Sequence, residues 1–154
     1  MVLFLLLGLL ADNLPAAEKT PRSPRTAFND DGQVLWEAPR SNPAPFIKSW
    51  LDREATAVPF TTFVFLAAMP DICIYQTKVG EVYGARFPEN SQGRFAPTLR
   101  ALAREGTDPL HLVTAHMHTR GKEVLAAIRM SDTHHRSLDP NDPLCPRFTL
   151  DHPQ

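Results

Sequence analysis

The sequence predicts an α+β domain: an antiparallel sheet of about four to five strands, two helices packed on one face, and irregular, proline-rich ends. Three observations carry this. Apolar runs rich in aromatic and β-branched residues recur between positions 60 and 130 and are bounded by turn formers. Two stretches, 46–58 and 96–106, instead space their apolar residues for a helix face. The 15 prolines outnumber the 7 glycines and gather towards the two ends of the 154-residue chain, where they work against regular structure.

Residues 2–10 form a wholly apolar run, far too short to cross a bilayer and of the length of a signal peptide's central region. The best cleavage position follows Ala17, although no Lys or Arg precedes the run. The expected organisation is a signal peptide at 1–17, an irregular segment at 18–45, and a single α+β domain at 46–154 with an irregular tail. Export would place the mature chain in the periplasm or outside the cell, without a transmembrane span. An oxidising compartment would then pair the two cysteines, Cys73 and Cys145, closing a long loop and pinning the tail to the sheet; without export, two buried thiols are expected.

Asn29-Asp30-Asp31-Gly32 is a turn signal ahead of a short strand at 33–36. Phe46, Ile47, Trp50, Leu51 and Ala55 mark the first helix, which starts at Pro45 and ends before Pro59. FTTFVFLAAMP, 60–70, reads as a buried strand. DICIYQT and EVYGARF flank Lys78-Val79-Gly80 as a first hairpin, with Ile72, Ile74 and Val82 seeking one face. The second helix carries Leu99, Leu102 and Ala103 on one side, Arg100 and Arg104 on another, and Gly106 at its end. PLHLVTAHMHT and KEVLAAIRM, joined at Arg120-Gly121, read as a second hairpin, followed by a tail of turn formers.

Net charge is −1, which gives no electrostatic ground to expect nucleic acid as a partner. No nucleophile elbow, phosphate loop or dinucleotide fingerprint occurs. Chemistry concentrates instead at 116–135, which holds four of the six histidines. On a strand His116 and His118 would share a face about 7 Å apart, close enough to ligate one metal. Asp132 or His134 would complete a zinc or copper site, and Glu81 or Glu123 would serve as general base for a metal-bound water. The His116-x-His118 pair with Ser131-Asp132 is similar to the metal site of JAB/MPN-type metalloproteases, but its Ser and Asp are adjacent where that family spaces them. His116-x-His118-x4-Glu123 is similar to the first cupin motif, and the 31 residues that follow are too few for that fold's second motif.

The alternative needs no metal: both histidines occupy the solvent side of a hairpin while Val113, Ala115 and Met117 pack inside. Tyr75, Tyr83 and Arg86 on the first hairpin would then offer aromatic and cationic anchors to a protein partner. On this reading the chain is a small exported, non-catalytic binding or inhibitory module with no cofactor; a zinc hydrolase or a copper- or zinc-binding protein built on His116 and His118 is the alternative.

Overall fold

A computed structural model describes residues 24–69, 71–88, 95–130 and 138–153. In chain order these form β1 (Ala27–Asp30), α1 (Gln33–Glu37), α2 (Pro43–Ala57), β2 (Thr62–Met69), β3 (Ile72–Cys73), β4 (Glu81–Val82), α3 (Ala96–Arg104), α4 (Pro109–His118), β5 (Glu123–Ile128) and α5 (Arg147–Asp151). The architecture is α+β, with a five-stranded sheet and helices gathered against it.

Strand β2 is the axis of the sheet. Its sequence TFVFLAAM is apolar on both alternating sets of positions, and every residue but the half-buried Val64 is buried. That is the composition of a strand covered on both faces. β1 pairs with it in parallel, Phe28 opposite Phe63. β5 pairs in parallel on the other side, from Thr62 opposite Glu123 to Ala68 opposite Ile128, with a bulge between Leu66 and Ala68. β3 folds back antiparallel onto the end of β2, and β4 lies parallel to β3. The sheet is therefore mixed rather than antiparallel throughout.

Three expectations change with it. The strand expected at 33–36 is the helix α1. The preceding residues 27–30 form the strand, and the Asp30 carboxylate at its end accepts from the backbone N–H of Val34, turning the chain into a helical turn. The second hairpin does not exist, because 109–118 is the helix α4. Asp108 accepts from the N–H of His111 at 2.8 Å as its N-cap and Pro109 occupies the first turn, while Leu112, Val113 and Met117 form the buried stripe. With a helix between them, β2 and β5 run the same way. The first hairpin is likewise replaced by two two-residue strands paired in parallel.

Helix α2 spans the predicted stretch and buries Ile47, Trp50 and Leu51. It touches α1, α3 and α4, and α4 in turn lies on β2 and β5, so α2 and α4 form a helical layer over these strands. Between the layers Phe28 stacks on Phe63 at 5.7 Å and meets Trp50 edge-on at 6.2 Å, with Phe60 alongside. Lys122 closes this end by donating to the Phe60 carbonyl at 2.6 Å.

Candidate functional site

The helical state of 109–118 separates the two histidines that were expected together. Residues two apart on an α-helix diverge by about 200° around its axis, so His116 and His118 cannot share an ion as they would on a strand. His116 turns inwards: its side chain is 11% exposed and its Nε2–H donates to Asp52 Oδ1 at 2.9 Å. Arg120 reaches the same carboxylate oxygen through Nε. Partial burial acts to raise the Asp52 pKa, but the hydrogen bonds from Arg120 and His116 outweigh it and hold the carboxyl below its usual range. His118 faces solvent. Asp132 and His134 lie outside the described residues, among which no three His, Cys, Asp or Glu side chains are grouped to hold a metal.

Beside this cluster a groove of about 440 Å³ opens between α2 and α4, lined by Lys48, Glu105, Thr107, His111 and His116 among others. Its charges are of both signs. Its hydroxyls come from Thr107 and Thr119, and Thr119 Oγ1 already donates to the His116 carbonyl at 2.7 Å. Asp52, His116 and Arg120 thus form a tie between two helices, with no activated oxygen or sulfur beside it among the lining residues.

The two glutamates considered as general bases are engaged elsewhere. Glu123 Oε2 accepts from Thr62 Oγ1 at 2.8 Å and pairs with Arg25 at 3.6 Å. Glu81 pairs with Arg86 and accepts from the Arg147 N–H at 2.8 Å. Arg86 also donates to the carbonyls of Pro140 at 3.1 Å and Cys145 at 2.6 Å. One guanidinium therefore clamps the tail to the sheet, the role expected of a disulfide. Cys73 and Cys145 are both buried free thiols, so the expected bond is corrected.

The anchors expected on the first hairpin are not presented together. Tyr83 is 6% exposed and packs against Phe95, Arg86 is spent on the tail, and Tyr75 is half-buried, with the neighbouring Cys73 thiol raising the pKa of its phenol.

Two features escaped the sequence reading. Asp30, at the end of β1, is 2% exposed; its Oδ1 accepts from Val34 and its Oδ2 has no partner among the described residues. Desolvation pushes its pKa up to about 6, against the opposing pull of the Val34 and Gln33 N–H groups. The other is β5. After Glu123 its residues 124–128, VLAAI, are as continuously apolar as β2, yet among the described residues it pairs on one side only. Leu125 is 48%, Ile128 57% and the following Met130 78% exposed.

Comparison with known proteins identifies no relative: no protein-family model, no curated protein and no solved structure matches the chain.

Proposed function

We propose that this chain is a small binding module without catalysis, which takes a protein partner by adding an extended segment to the outer edge of β5. The observation that carries this reading is the contrast between composition and position in β5. A parallel strand with apolar residues on both sets of positions is normally interior, covered on two faces and paired on two edges. Here such a strand ends the sheet of the described residues, with Leu125 and Ile128 exposed. Open strand edges are either protected by charge, proline or distortion, or used for pairing. Residues 124–128 contain no charge and no proline. Export belongs to the same reading and is supported by the apolar run at 2–10.

The test is capture from the native exported fraction by tagged wild type and by a Leu125→Lys/Ile128→Lys variant of matching fold and melting temperature. A partner held by the first and lost by the second supports the reading; capture undiminished by the lysines overturns it. An intact mass beginning after Ala17 is the expected result for export, and a mature chain retaining residues 1–17 speaks against it.

A further inference from the structure

We infer that the partner seated on β5 is a second copy of this chain, paired antiparallel about a two-fold axis through Ala126. The inference rests on the reading of β5 as the binding edge and adds who occupies it.

A two-fold interface brings the same strand against itself, so the sequence must suit its own reverse. Centring the pairing on Ala126 sets Val124 opposite Ile128 and Leu125 opposite Ala127 of the other copy, with Ala126 facing itself. The small residues lie at and beside the axis, and each large side chain meets either a small one or one β-branched match. The termini of the run agree in charge: Glu123 of each copy falls opposite Arg129 of the other. Both are already oriented on their own chain, Glu123 by Arg25 and Arg129 by Asp31, so pairing would extend two existing ion pairs into two alternating networks. Displacing the register by two residues would break both end pairings and bring Leu125 against itself or Ala127 against itself.

The backbone is prepared for this. β5 is paired along β2 from Glu123 to Ile128, across the bulge at Leu66–Ala68, and the Arg129 N–H continues the ladder onto the Ala68 carbonyl at 2.9 Å. Ala126 is exposed. Pairing would make one sheet across two copies and give β5 a neighbour on its second edge. An interface of two six-residue strands is small, so the dimer should dissociate at roughly micromolar concentration.

The experiment is cross-linking in the full chain as expressed, whose two native thiols are buried. Ala126→Cys places a thiol on the axis, within the Cα spacing a disulfide needs. Met130→Cys places one on the same ribbon, more exposed but far from its counterpart in the pairing. Under mild oxidation the Ala126→Cys dimer should form at least about tenfold faster than the Met130→Cys dimer, and wild type should pass from one chain to two in sedimentation as concentration rises. Leu125→Lys/Ile128→Lys should remain a single chain. Equal cross-linking at both positions, or a dimer that survives the two lysines, overturns the inference. A wild-type monomer that still loses a foreign partner on lysine substitution overturns the two-copy inference while leaving the β5 reading intact; a monomer whose capture ignores the lysines overturns both.

Discussion

The Nε2 of His116 on α4 lies 2.9 Å from Oδ1 of Asp52 on α2, joining positions 64 apart in the sequence. Arg120, one turn further along, binds the same oxygen. The histidine that stood out as a metal ligand is therefore a fastener between two helices. Replacing it by alanine should cost about 1–2 kcal/mol in urea unfolding, the range for a hydrogen bond to a charged group that keeps a second partner. His118→Ala, at an exposed position, should change stability by less than about 0.5 kcal/mol. Bound zinc and copper should be unaffected by either; loss of metal with His116→Ala would reverse the assignment. Because the Asp52 pKa lies below its ordinary value, this tie is fully present above the usual carboxylate range and is lost as pH falls through the depressed value.

Asp30 gives stability the opposite dependence on pH. Its folded-state pKa of about 6 stands above the 3.8 of an ordinary aspartate, so the folded chain binds the proton more tightly than the unfolded one. The contribution is whole below pH 3.8, is lost as pH rises through about 6, and is flat beyond. The full swing is on the order of 2–3 kcal/mol. Asp30→Asn should abolish this slope and be more stable than wild type at pH 8 by on the order of 1–2 kcal/mol, since its amide keeps the acceptor for Val34 but leaves an unpaired N–H in the Oδ2 position. Guanidinium melts of both proteins from pH 4 to pH 8 provide the check; parallel curves would show that Asp30 does not titrate in this range.

Arg86→Ala should release the tail before the domain unfolds. Its guanidinium, 20% exposed, holds Glu81 and the carbonyls of Pro140 and Cys145 at once, and its removal should cost about 2–4 kcal/mol of local stability. Cys145, fully buried, is the reporter. Its alkylation under native conditions should accelerate at least about tenfold in the variant, with Cys73 changing less. A reducing agent should leave the wild-type melting temperature unchanged, since the two thiols are unbonded.

Gly84 should tolerate no side chain. It has φ of 74°, where L-residues are strained, and a Cβ there would come 2.4 Å from the Ala96 Cβ at the start of α3. Arg100 holds the same turn by donating to the Gly84 carbonyl at 2.9 Å, so the backbone cannot easily draw away. Gly84→Ala should destabilise by about 2–4 kcal/mol in a thermal or urea melt, whereas Gly106→Ala, with φ of 76° but open space around it, should cost about 1 kcal/mol.

Much of the fold was legible where local pattern and final environment agree. Phe46, Ile47, Trp50 and Leu51 announced α2, Leu99 and Leu102 announced α3, and the apolar runs of β2 and β5 announced strands. The misreading of 109–118 has a local cause. Val113 and Thr114 are β-branched and the histidines alternate, which imitates a strand, while the Asp108-Pro109 cap and the spacing of Leu112, Val113 and Met117 carry the helix signal. Parallel pairing was present in the two-sided apolar composition of β2 and β5, but its recognition depended on placing a helix between them. The Arg86 clamp was beyond reach: its carbonyl partners lie 54 to 59 positions away and carry no side-chain signature. The cysteines were paired by compartment chemistry, and compartment says nothing about which sulfurs the fold brings together.

Strand β2 receives its two long neighbours from opposite directions along the chain, and Thr62 meets Glu123 across 61 positions. During translation the first neighbour is already made when TFVFLAAM leaves the ribosome, but the second is still to be polymerised. For that interval a strand-prone, uncharged segment stands with a naked flank in a crowded milieu, the circumstance in which nascent chains adhere to one another. Wherever the chain folds, that flank stays bare until β5 docks along it, and the interval before docking is the one most open to adhesion between chains.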